Sequence, residues 1–150
     1  SFGSGLFFGD PEKNALNSGD GNKVSLLRIM ADYSIMFPYD FYGAAYDFAK
    51  YYWDMRKLNL INSDQYFHSK ANFQATKRGP GGAFFAIHFS NLREIFDQRI
   101  KGDTYLDAIQ DQEANTYGRI QGWEYRYYKG DIYFNEVIPM YRKDYFPNGY

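Results

Sequence analysis

Apolar positions along this chain recur at steps of three and four, and each run ends at residues that cannot continue it. In 24–37, Leu26, Ile29, Met30, Tyr33 and Phe37 fall at helical spacing and predict a buried helix stopped by Pro38. With Asp40 as its cap, 41–58 sets Phe41, Ala45, Phe48, Tyr52 and Met55 on one seam. Tyr42, Tyr46, Ala49 and Trp53 form a second stripe beside it. One neighbouring helix needs one stripe. The second stripe therefore predicts either a central helix or a face that meets something outside the monomer.

A third helix starts at Ser63 or Asp64 and carries Tyr66, Phe67, Ala71, Phe73 and Ala75 before Lys77 and Arg78 complement its negative end. Gly79 can take positive φ, Pro80 cannot extend a helix, and Gly81 and Gly82 let two backbones approach. The four residues predict a tight corner between antiparallel helices. Beyond it Phe85, Phe89, Leu92 and Phe96 share a seam, with Arg93 and Asp97 as a surface i,i+4 pair. Asp103 or Thr104 caps a further helix from Tyr105, which Gly118 closes.

At the two ends the helical period is lost. Residues 1–22 are Gly-, Asn-, Ser- and Asp-rich and read as an irregular leader that Leu6, Phe7 and Phe8 could dock, with Asn22 or Ser25 capping the first helix. Residues 120–150 are aromatic and read either as an ordered tail over the bundle, the preferred reading, or as a hairpin around Lys129-Gly130-Asp131. The expectation is an all-α chain in one structural domain: leader and extra helix over 1–40, an antiparallel bundle over 41–119, and the tail over 120–150.

Composition sharpens this picture in one respect. Sixteen Tyr, 14 Phe and 2 Trp among 150 residues exceed what one core needs. Tyrosine suits half-buried surfaces, interfaces and ligand-facing walls. A net charge of −1 without a Lys/Arg run argues against nucleic acid as a partner. No cysteine is present, so disulfides and thiolate chemistry are excluded. No apolar run approaches the roughly 20 residues that span a bilayer. Lacking an initiator Met at position 1 and a signal-peptide pattern, the chain reads as a mature or excised piece.

Three separated blocks resemble the serum amyloid A family. Tyr66-Phe67-His68 followed by Lys77 through Gly82 is similar to its central motif; Trp53-Asp54-Met55-Arg56 resembles the end of its first helix; Asp111, Gln112, Ala114, Asn115, Gly118 and Arg119 resemble its fourth. The matches cover about residues 41–119. The resemblance implies a four-helix bundle, here with one extra N-terminal helix and an ordered aromatic tail, in a distant and even bacterial relative. It also implies that Arg56, Lys77, Arg78 and Arg119 pin the tail, or alternatively contact an anion.

No catalytic set emerges. His68 and His88 lie on different predicted helices without further ligands at metal spacing, and each reads as a histidine making one hydrogen bond. Asp107 and Asp111 read as a solvated face, and no hydroxyl has an evident base. No metal or other cofactor is implied. The resemblance implies a secreted or extracellular lipid-binding or retinol-like small-molecule-binding protein, a homo-oligomer in some forms. Tyr42, Tyr46, Trp53 and Phe84 are the residues expected to face the ligand. The alternative is a membrane-active effector, toxin or interaction domain of a larger secreted bacterial protein, with a cognate immunity protein as partner.

Overall fold

The computed structural model describes residues 26–102, 104–128 and 132–150. The leader with Leu6, Phe7 and Phe8, the caps Asn22, Ser25 and Asp103, and the turn at Lys129-Gly130-Asp131 lie outside them. The described residues are helical, with no strand among them: α1 Leu26–Ser34, α2 Phe37–Leu58, α3 Asp64–Lys77, α4 Pro80–Phe96, α5 Tyr105–Glu124 and the single turn α6 Phe134–Val137. A π-helical turn, Asp97–Lys101, extends α4 and ends at Gly102, whose φ is 76°. The bundle and its extra N-terminal helix match the expectation, but three boundaries move for definite reasons.

Pro38 begins a helix instead of ending one. It sits in the first turn of α2, where its missing N–H is no loss. Asp40 is accordingly inside the first turn and not at the cap. Pro80 likewise opens α4, directly after Gly79 at φ 134°, so two residues reverse the chain. Gly118 does not close α5, which runs on to Glu124.

The reason for Gly118 is packing. α5 buries Ala114, Gly118 and Gly122 at steps of four, and the two glycines lie against the backbone of α3. A Cβ on Gly118 would strike the Ser69 carbonyl, and one on Gly122 the Phe73 carbonyl. Gly82 and Gly81 do the same at the corner, against the carbonyls of Ala75 and Phe37. In the complete fold α3 is enclosed, with Tyr66, Phe67, His68, Ala71, Asn72 and Phe73 all fully buried.

The core is largely aromatic. Phe48 and Tyr52 of α2 meet Phe85 and Phe89 of α4, the last two stacked at 5.3 Å. Leu92 and Phe96, expected on the same seam, are exposed and border a gap between α2 and α4. The gap is a groove of about 570 Å³ lined by Met55, Arg56, Phe89, Leu92 and Phe96.

The tail is ordered and closes the far side of α3. Phe134 and Phe146 bring their rings edge-on to Tyr66 at 5.4 and 5.2 Å. Ile138 is fully buried beside them. Arg142 Nε and Asn135 Nδ2 both donate to the Tyr150 carbonyl, and the Tyr145 hydroxyl donates to the Ile61 carbonyl at 2.6 Å.

Gly118→Ala and Gly122→Ala should each lower the unfolding free energy by about 1–3 kcal/mol, the usual cost of overpacking. Gly102→Ala, with nothing within 4 Å of the new methyl, should cost less, near the ~1 kcal/mol of a left-handed alanine. Urea titrations followed by circular dichroism measure all three, and equal midpoints would contradict the close packing of α3 on α5.

Candidate functional site

The outward surface of α1 and α2 departs from the usual arrangement of an amphipathic helix. Leu26, Leu27, Met30 and Tyr33 of α1 are exposed, and Asp32 is the residue it buries. The expectation of a buried α1 is therefore corrected. The helix is turned by its polar side: Asp32 accepts from Arg28 Nε at 3.0 Å and from the Tyr127 hydroxyl at 2.9 Å. These bonds satisfy the carboxylate inside and leave the apolar side facing out.

On α2 the same outward direction carries Tyr39, Tyr42, Tyr46 and Trp53, all well exposed, with Lys50 and Lys57 on the same line. Steps of three and four place these residues on one side of the helix. Trp53 is 69 % exposed whereas Trp123, in the core with Ala83, is 1 % exposed. Phe84 of α4 is half-exposed and lies against Phe37, Phe41 and the exposed His88, the last at 4.3 Å between ring centres.

A separate apolar groove of about 760 Å³ runs between α4 and α5. Ile95, Tyr105, Ile109, Tyr117 and Ile120 form its walls, and Glu94, Gln112 and Glu113 edge it. Its volume lies within the range of small-molecule sites, about 300–1,000 Å³. The α5 residues of this groove are not among those expected to face a ligand; the signal available is Tyr105, Ile109 and Ile120 at helical spacing.

The four cations expected to hold the tail are directed elsewhere. Arg78 forms a two-pronged pair with the buried Asp47 of α2, 2.6 Å from Nε to Oδ2 and 3.0 Å from Nη2 to Oδ1. Gly43 makes room for it, since a Cβ there would meet the guanidinium. Arg119 points into the core, donating to Asn72 Oδ1 at 3.0 Å and to Thr116 Oγ1 at 3.2 Å. Burial pushes its pKa down to about 10, so it stays charged at neutral pH. Lys77 lies over the Phe73 ring, and Arg56 stands exposed at the α2–α4 groove. Gly79, Pro80, Gly81 and Gly82 form the corner itself.

Beside that corner, Asp40 is buried with Oδ2 lacking a hydrogen-bond partner among the described residues. Burial first, and then the charge of Asp32, raise its pKa to about 6 from 3.8. The folded state thus holds this proton more tightly than the unfolded chain. The resulting destabilisation is absent below about pH 4, grows as pH rises through the window, and is complete above about pH 6. Asp40→Asn should raise the melting temperature by about 2–4 °C at pH 7.5, the shift that ~1 kcal/mol gives a domain of this size, and should match the parent near pH 4. Calorimetry at the two pH values checks this, and a variant less stable at both would refute it.

A family model described as "Serum amyloid A protein" matches residues 35–149. Similar proteins include the "Serum amyloid A protein" of Anas platyrhynchos, 43 % identical over 91 residues that make up 61 % of this chain and 72 % of that protein. The "Serum amyloid A-1 protein" of Homo sapiens is 45 % identical over 85 residues, 54 % of this chain and 69 % of its own length. That of Mus musculus is 42 % identical over 93 residues, 62 % and 75 % of the two chains. Identity at this level is closer than the distant kinship expected from the motifs.

Proposed function

Because the chain belongs to the serum amyloid A family, we propose that it binds lipid surfaces through the outward side of α1 and α2, and an apolar small molecule of the retinol type in the α4–α5 groove. The chain is secreted, like its serum relatives. No helix among the described residues is long and apolar enough to cross a membrane. The form of association proposed is that of amphipathic helices lying on a surface.

The observation that carries the reading is the direction of α1. A helix whose acid is satisfied inside and whose leucines face out leaves apolar area for a second phase to cover. Tyr39, Tyr42, Tyr46 and Trp53 have the ring-plus-polar-tip character that suits headgroup depth, and Lys50 and Lys57 can extend along the same line toward lipid phosphates. A second copy of the chain is the competing occupant of this face, and a homo-oligomer would bury the same rings. Neither binding mode needs a catalytic group.

The test uses the full chain with phosphatidylcholine vesicles and, separately, with retinol. In a Trp123→Phe variant the remaining Trp53 emission should shift to the blue on adding vesicles. Tyr42→Ser, Tyr46→Ser and Trp53→Ser combined should weaken vesicle co-sedimentation at least about tenfold while leaving the melting temperature near the parent's, since surface changes are usually within ±0.5 kcal/mol. Ile109→Asp should abolish retinol binding and spare vesicles. Unshifted Trp53 emission at saturating lipid defeats the surface reading, and retinol affinity unchanged by Ile109→Asp defeats the groove.

A further inference from the structure

Away from both surfaces, the bundle interior brings together three side chains with metal-ligand chemistry, and we propose that His68, Glu94 and Asp111 bind a divalent first-row cation, zinc by preference. Each residue comes from a different helix: α3, α4 and α5. One donor atom from each lies within 4.8 Å of the other two. His68 Nδ1 is 3.8 Å from Glu94 Oε1 and 3.9 Å from Asp111 Oδ2. Ligand atoms about 2.0–2.1 Å from a tetrahedral zinc stand about 3.3–3.4 Å apart. The two His68 edges are open by about half an ångström and the Glu94–Asp111 edge stays within 4.8 Å, so the carboxylates must turn inward to close on an ion.

Charge supplies the second argument. The His68 side chain is 0 % exposed, Glu94 7 % and Asp111 14 %. Two carboxylates beside an imidazole concentrate negative charge in a region where a counter-charge at short range is worth most. Of the nearby guanidiniums, Arg119 donates to Asn72 and Thr116, and Arg93 covers the Tyr52 ring at 3.9 Å and pairs with Asp97. A divalent cation carries the charge that matches two carboxylates, and a neutral imidazole is the form of histidine that ligates it.

The surroundings hold the donors in place. Asn115 Nδ2 donates to Glu94 Oε1 at 3.2 Å, and Asn115 is itself fixed by Asn72 Nδ2 at 2.9 Å. The Tyr52 ring stands edge-on to His68 at 5.5 Å. Such outer contacts orient ligands and tune affinity. Access is present on the Asp111 side, where a polar cavity of about 440 Å³ is lined by Asp64, Asp107 and Asp111 together with Lys143. Its acids attract a cation, and its volume leaves room for water at a fourth position. One nitrogen and two carboxylates fit zinc better than calcium, which takes six to eight oxygens.

The test adds Zn²⁺ alone to the EDTA-stripped full chain near neutral pH, by calorimetry, with Co²⁺ as the spectroscopic substitute. One zinc per chain is expected. Glu94→Gln and Asp111→Asn should each weaken binding by at least about 100-fold, and His88→Gln, which alters the exposed histidine, should not change it. In the unaltered protein, zinc should shift the His68 ring resonances and leave those of His88 in place, a readout that does not depend on any variant folding. Absence of stoichiometric binding, binding that survives both carboxamide variants, or shifts confined to His88 would overturn the site.

Discussion

The fold depends on satisfying one buried amide. Asn72, in the middle of the enclosed α3, donates to the His68 carbonyl and to Asn115 Oδ1, and accepts at Oδ1 from Ser90 Oγ and from Arg119 Nη1. Its partners come from α3, α4 and α5. A polar group in such a place is costly if any bond is lost, so the network admits one relative setting of the three helices. That setting puts Gly118 and Gly122 opposite the α3 carbonyls, and it draws His68, Glu94 and Asp111 to a common point. An apolar residue at position 72 could fill the volume but would leave Arg119 and Asn115 without these partners.

A rigid polar centre also explains why the periphery can be unconventional. The register of α3, α4 and α5 is set from inside, by hydrogen bonds and glycine contacts. α1 is then free to dock by Asp32, and α2 can carry a second aromatic line that no other described helix covers. The Arg78–Asp47 pair joins the corner to α2 without using that line. In this chain the apolar surface is divided into a portion that holds the bundle together and a portion that stays exposed.

Much of this is legible in the residues because it is periodic. The helices, the Lys77–Gly82 corner and the two stripes of α2 follow from spacing and from the backbone freedom of glycine and proline. The errors share a different character. Which side of α1 faces inward is decided by Tyr127, far along the chain, and apolar spacing alone cannot report it. Gly118 reads as a helix end because a mid-helix glycine is costly, but here packing against Ser69 outweighs propensity. Arg78 and Arg119 carry no sign of their partners, Asp47 and Asn72, which lie 31 and 47 positions away. The His68 cluster is hidden for the same reason: its three members sit on three helices and form no motif.

The aromatic tail has a bearing on how the molecule is made. Tyr66 belongs to the middle of the chain, yet the rings that seat against it, Phe134 and Phe146, leave a ribosome only after α3, α4 and α5 have all emerged. Until they arrive, α3 has a bare flank of tyrosine and phenylalanine. Long-range closure of this kind is slow relative to helix formation. In the order of synthesis, the cover of this flank is therefore the last part of the core to become available.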